Sequence, residues 1–487
     1  MKKNSFVINI FTFVLVSLFV VNTIKNSDFS STTSLDDNQY WTLGTHLSLT
    51  GTYGVNKEES QYLSKDLAPL ENRGIRRGEV LYPVYLATII NTVLTEKDKS
   101  QLTSNCIYNI NSKNCKPILT AVYLANLIIF ISFLIFLILF IFQDNFIGIY
   151  KFLTVGILIF AFPTYSKDSL TYVLLSFFCY FYFYKKYKFA YLIISLLPLI
   201  SAVFYYFLYI FIFMELMKKI KSKKFEYKTP VIIIVLLPSL LWGFRNYNNS
   251  DQFTIVSRGP QLLTIRAEFL SESFDNLKDS YFWYTPSNII TKNLKLAVLD
   301  RSETLSETRS LYDRGDSKCI VCRRYSSDGY VLSQLQKIYG EDNKDLAEII
   351  SKNNYLDVNK SMYLISINTI KENPLKQVFV TSIFAYRGLF PEFRKISFND
   401  LNLLNISIEI LSSFLRLSFF PFLFYKIFKF LKYKKFEIVY HPFFSLFIFL
   451  FVFYSFFTHF IPRYSAMLVP VAIYIFLITS FERKIKI

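Results

Sequence analysis

Residues 117–142 read PILTAVYLANLIIFISFLIFLILFIF and contain no charged side chain. About 20 apolar residues in a helix cross the roughly 30 Å of hydrocarbon in a bilayer. Inside that layer the backbone must satisfy its own hydrogen bonds, which a helix does within one segment. The stretch therefore reads as a membrane-crossing helix. Across all 487 residues, 52% are hydrophobic and 19% aromatic, with 53 Phe and 35 Tyr. That is too apolar for a water-soluble chain of this length.

Outward from this helix, further apolar runs alternate with lysine clusters. Upstream, MKKNS leads into an apolar run from Phe6 to Val21. No small-x-small cleavage pattern follows in residues 22–31, so an uncleaved first helix is expected rather than a signal peptide. Downstream, single spans are expected at 146–162, 170–184, 230–244, 405–425, 443–459 and 465–481. Residues 189–217 have lysines at both ends, which requires an even number of crossings. Two short helices turning near Ser201 meet that requirement. The expected fold class is an all-α polytopic membrane protein with about ten transmembrane helices, two long external segments and both termini cytoplasmic.

This gives a first helix (1–24), a first external loop (25–114), helices two to seven (115–247), a second external segment (248–403) and helices eight to ten (404–487). Within the external parts, 332–353 reads as an amphipathic helix. Arg76–Leu94 and 373–390 read as helices lying along the membrane surface.

The net charge of +18 does not point to nucleic acid as a partner. Most of the excess sits in Lys2, Lys3, Lys185, Lys186, Lys188, the lysines of 218–228 and 426–435, and the C-terminal ERKIKI. All lie at ends read as cytoplasmic, which is the positive-inside pattern. The expected location is a bacterial inner (plasma) membrane, with the long loops on the periplasmic or external face. Cys179 falls in an apolar helix and reads as a packing residue. Cys106/Cys115 and Cys319/Cys322 fall in external segments, where disulfides persist; disulfides and free thiols both fit. The C-x-x-C spacing lacks the βαβ surroundings of a redox motif.

The candidate chemistry begins at Ser34–Gly54, SLDDNQYWTLGTHLSLTGTYG. Asp36 and Asp37 precede Tyr40 and a helix-like run that closes at Gly51 and Gly54. The stretch reads as an acidic pair at the membrane surface followed by an amphipathic helix. Three more polar sets fall on the same face: Arg76/Arg77 ahead of Tyr82, Lys167/Asp168, and Arg245 with His459, Arg463 and Tyr464. Cations bind phosphate and a carboxylate takes a proton. Taken singly, each set also fits solvated loop charge; the arginines fit interfacial anchors, and Asp36 and Asp37 fit helix caps. Glu409 and Arg416, seven residues apart on one helical face, are further intramembrane candidates. The adjacent carboxylates could hold a divalent metal, but no His/Asp/Glu set at recognised spacing calls for a cofactor.

In order, Asp36-Asp37-x-x-Tyr40, Arg77 with Tyr82-Pro83, Trp242-x-x-Arg245-Asn246-Tyr247, and Arg463-Tyr464 with Pro470 resemble the polytopic GT-C glycosyltransferases. The similar branch is the family 39-like one, with bacterial relatives of protein O-mannosyltransferases and the lipid A aminoarabinose transferases. Ser166–Leu170, SKDSL, sits where relatives often carry an acid. The resemblance covers 1–250 and 370–487. It departs at Glu79-Val80, where relatives have proline, and at Asp37, where Glu is usual. It implies an inverting glycosyltransferase with a polyprenyl-phosphate-linked sugar as donor and a hydroxyl on a glycan, lipid or protein as acceptor. By that resemblance Asp36 and Asp37 are catalytic, while Tyr40, Arg76, Arg77, Tyr82, Lys167, Asp168, Arg245, His459, Arg463 and Tyr464 bind substrate. Two rival readings share the lipid-linked substrate. A flippase should show paired halves with midplane charges, and an O-antigen polymerase or ligase needs no acidic pair after helix one.

Overall fold

A computed structural model describes residues 2–26, 35–51, 53, 80–100, 115–142, 148–163, 166–221, 234–250, 259–274, 277, 329–340, 348–349, 352–353, 355–393, 402–433, 441–457 and 462–481. Over these the chain is all-helical, with no strand. The first part holds α1 (Lys2–Asn26), α2 (Leu35–Thr50), α3 (Leu81–Val93) and the short α4 (Glu96–Ser100). Next come α5 (Lys116–Ile141), α6 (Gly148–Phe160), α7 (Ser166–Phe183), α8 (Tyr187–Ile200), α9 (Val203–Lys221) and α10 (Leu237–Ser250). A middle group follows: α11 (Gly259–Ser271), α12 (Tyr330–Tyr339), α13 (Tyr355–Glu372) and α14 (Pro374–Gly388). The chain closes with α15 (Asn402–Tyr433), α16 (Pro442–Phe457) and α17 (Pro462–Phe481).

Three helical segments are long and apolar enough to cross a membrane: Lys116–Ile141, Asn405–Lys432 and Arg463–Ser480. Shorter apolar helices accompany them at Ile8–Ile24, Leu81–Val93, Tyr150–Phe160, Tyr187–Ile200, Val203–Met217 and Pro442–Phe457. In lipid no hydrophobic force drives such helices together, so close packing and interhelical hydrogen bonds must hold them. Aromatic rings supply the packing here. Phe133 of α5 stacks on Phe162 at 4.3 Å and meets Tyr172 of α7 edge-on at 5.7 Å. Phe178 of α7 reaches Phe443 of α16, and Phe140 of α5 reaches Tyr474 of α17. The helix α7 is the hub, packed against α2, α3, α5, α8 and α17.

Helix ends follow local chemistry. Pro117 in the first turn of α5 and Pro374 at the start of α14 stand where the missing N–H costs nothing. The α8–α9 pair turns at Ser201, the predicted position, just after Pro198. Gly51, at φ +70°, closes α2 with its N–H on Leu47 O at 3.0 Å. That is the left-handed glycine that commonly follows a helix.

Several expectations are corrected. Instead of an amphipathic helix with a wet face, α2 is buried on every side from Tyr40 to His46, because α3 and α7 cover its polar face. Of the stretch Arg76–Leu94, Leu81–Val93 forms α3, which buries Tyr82, Pro83, Leu86, Ala87 and Ile90 against α2 and α5 and leaves Val84, Thr88 and Asn91 exposed on its other face. The 332–353 helix stops at Tyr339, where Gly340 takes φ +105°. The WGFRNYNNS stretch, expected as an exit loop, is helical within α10. The eighth helix runs on as α15 through Pro421 into the basic stretch, with Glu409 exposed and Arg416 half-buried. Expectations for Arg76, Arg77, His459, Cys106, Cys319, Cys322 and the side chains of Asp36 and Asp37 lie outside the described residues. Cys179 is buried and free, as expected, and Cys115 is disulfide-bonded.

The α2–α3 contact is closest at Gly44. A Cβ there would stand 3.0 Å from Leu86 Cδ2 and 3.1 Å from both Leu86 Cβ and Pro83 O. One of those atoms belongs to backbone and cannot swing away. Gly44→Val is expected to lose about 1–3 kcal/mol of stability by overpacking, read as a lower Tm of the detergent-solubilised protein. An unchanged Tm would mean that the two helices do not meet this closely.

Candidate functional site

The first turn of α7 gathers residues from distant parts of the chain. Lys167 Nζ donates to Tyr40 Oη of α2 at 3.2 Å and lies 5.2 Å from the centre of that ring. Asp168, the next residue, faces Arg463 in the first turn of α17, with Oδ2 and Nε 3.7 Å apart. This is longer than a hydrogen bond, so the contact is an ion pair. The carboxylate side chain is 8% exposed and the arginine 22%.

Aromatic hydroxyls extend the cluster on both sides. Tyr464 stacks on Tyr454 of α16, centroids 4.7 Å apart, and Tyr454 hydrogen-bonds Ser201 in the α8–α9 turn. On the other side Tyr40 meets Tyr82 of α3 edge-on at 6.4 Å, and the Tyr82 hydroxyl donates to Asn126 Oδ1 of α5 at 3.1 Å. The α6–α7 turn is held in place by Ser169 Oγ on Pro163 O at 2.8 Å and Tyr172 Oη on Leu158 O at 3.0 Å. Since α2 begins at Leu35, the backbone of Asp36 and Asp37 lies in its first turn, one turn before Tyr40.

Arg245 belongs to a separate group. Its Nη2 donates to Tyr53 O at 2.9 Å and its Nη1 to Asn246 Oδ1 at 3.0 Å. The guanidinium lies 4.8 Å from the Trp242 ring centre and 5.6 Å from that of Tyr53. Burial lowers its pKa, with Tyr53 opposing the shift, and an arginine remains charged. Tyr53 lies beyond the far end of α2, whose last residue, Thr50, is about 15 Å along the helix axis from Tyr40.

The structure thus joins Tyr40, Tyr82, Lys167, Asp168, Arg463 and Tyr464, and leaves Arg245 apart. Sequence reasoning passed over Asn126, Tyr454, Tyr53 and the buried His46, which pairs with Thr50. Two of these carry a signal. Asn126 is the one amide in the apolar run 117–142, and Tyr454 is the one tyrosine in a Phe-rich helix. Among the described residues no group of three or more His, Cys, Asp or Glu could hold a metal.

A double-mutant cycle on Asp168→Asn and Arg463→Gln tests the central pair. Charged groups in contact couple by about 0.5–3 kcal/mol, so the double variant should be more stable than the sum of the single losses. Strict additivity of the Tm or denaturant midpoints would mean that the two charges do not interact.

Comparisons with family models, with curated proteins and with solved structures return no match for this chain.

Proposed function

We propose that the chain is a polytopic membrane glycosyltransferase of GT-C type, crossing the bilayer about ten times with both termini cytoplasmic. It would move a sugar from a polyprenyl-phosphate donor to a hydroxyl acceptor on the external face. One observation carries the reading. The helix ends that the lysine distribution assigns to the external side are the starts of α7 and α17, the end of α16 and the α8–α9 turn. They are also the ends that meet around Lys167, Asp168 and Arg463. A polar cluster at one membrane face, reached from lipid, suits a lipid-borne phosphate. The disulfide at Cys115 fits an oxidising compartment for the first loop.

In this reading Arg463 and Lys167 hold the donor phosphate, Arg463 through its planar fork. The acceptor oxygen attacks the anomeric carbon, and the bond from that carbon to the phosphate oxygen breaks. Polyprenyl phosphate leaves with the electron pair, and the acceptor proton passes to Asp36. One displacement inverts the anomeric centre. Asp37 orients the base, and Tyr40 and Tyr82 line the approach to it. Arg245, which donates to Tyr53 O beyond the end of α2, is assigned to holding that segment.

Asp36 lies in the first turn of α2, where a carboxylate gains about 0.3–1 kcal/mol from the helix dipole, so Asp36→Asn should lower the Tm only slightly. Transfer from a polyprenyl-phosphate sugar by the purified protein should fall about 10²–10⁴-fold, the usual loss of a general base. Full transfer in that variant would remove Asp36 from the mechanism.

A further inference from the structure

The helix α14 carries an apolar surface that the proposed reaction does not use. Its buried face, Gln377, Val380, Ile383 and Phe384, packs on α11, α16 and α17. Its opposite face opens with Leu375 at 82% and Val378 at 67% exposure, then turns polar at the exposed Ser382. The apolar part is thus confined to the first turn.

That turn is fastened to two other helix ends. Gln377 Nε2 donates at 3.0 Å to Phe456 O, in the last turn of α16. Lys376 Nζ bonds Leu270 O and Glu272 O at the end of α11 and lies 5.6 Å from the Phe274 ring centre. Phe274 in turn packs on Phe379 at 5.7 Å. Phe274, Phe456 and Phe457 are themselves partly exposed. Exposed apolar side chains thus stand on both elements near this junction, Leu375 and Val378 in the first turn of α14 and Val452, Phe456 and Phe457 on α16.

We infer that the helix expected along the membrane surface at 373–390 makes its contact through the first turn of α14 alone, which dips Leu375 and Val378 into the external membrane interface, with the lipid surface as partner. The inference rests on reading α16 as a span that ends at that face. Because Gln377 bonds the last turn of α16, Leu375 and Val378 stand at the depth where the hydrocarbon ends. A helix at that level buries its apolar side about 5–10 Å into the boundary. An exposed apolar patch next to polar surface marks a contact site, and here its neighbour is a helix with an apolar outer side. The cap formed by α11–α14 would then be seated on the bilayer and not held above it in water. A lipid-borne substrate could reach the Lys167–Arg463 cluster from below the cap.

The test uses the full chain in vesicles of phosphatidylethanolamine and phosphatidylglycerol. The photo-crosslinking residue p-benzoylphenylalanine replaces Leu375, Val452 or Lys360, the last being an exposed position on α13. After irradiation, mass spectrometry should find a one-lipid mass increase at 375 and 452 and none at 360. Adducts at 452 but not at 375 would overturn the inference while leaving α16 in the membrane. Adducts at neither would remove the span that the inference rests on, and the inference with it. Equal adducts at 360, or a cross-link from 375 to a second chain in place of lipid, would also overturn it.

Discussion

Two adjacent residues of opposite charge, Lys167 and Asp168, begin a helix whose remaining length is buried among five others. A charge taken from water must be paired or hydrogen-bonded, or the fold bears several kcal/mol for each. That constraint organises one end of the bundle. Lys167 recruits Tyr40 from α2, and Asp168 recruits Arg463 from α17. Their neighbours Tyr82 and Tyr464 then bring in α3, α5 and α16. The other end of α7 obeys the same rule. Glu215 of α9, buried, accepts the hydroxyls of Tyr182 of α7 and Tyr191 of α8 at 2.7 and 2.9 Å. So α7 is tied by polar contacts at both ends and packed by aromatic rings between them.

The middle group of helices repeats this logic on a smaller scale. Val331, Leu332, Leu335, Val358 and Met362 make a second apolar cluster with Ala267. Glu268, buried on α11, accepts the N–H groups of Tyr330 and Val331 at 3.0 and 2.9 Å and so completes the start of α12. These are donors that a helix leaves unsatisfied at its first turn. Arg266 of the same helix lies over the Phe384 ring of α14 at 4.5 Å. Through α14 the cluster meets α16 and α17, the helices that flank Tyr464 and Arg463.

The helical class was legible in the apolar runs, and the turn at Ser201 was readable from lysines at both ends of 189–217. What periodicity could not reveal is which polar faces become covered. The α2 pattern looks amphipathic, yet Thr42, Thr45 and His46 are buried, because Gly44 lets α3 come close on one side and α7 closes another. Spacing also gave no distances between segments. Arg245 and Arg463 looked alike as phosphate holders, but Arg245 meets Tyr53 beyond the end of α2, whereas Arg463 meets Asp168 of α7. Lys167 and Asp168 were visible as a polar pair in a short loop. Their partners, more than a hundred residues away on either side, were not.

The central claim is that the cluster at the start of α7 handles a sugar carried on a polyprenyl monophosphate. The most direct measurement is mass spectrometry of external glycans and lipid-linked sugars in three cell types. One has the wild-type chain, one lacks it, and one carries Arg463→Gln. The account predicts that one sugar disappears from an external glycan in the second and third cells while a polyprenyl monophosphate sugar builds up. Unchanged glycans, or build-up of a diphosphate-linked oligosaccharide instead, would contradict it.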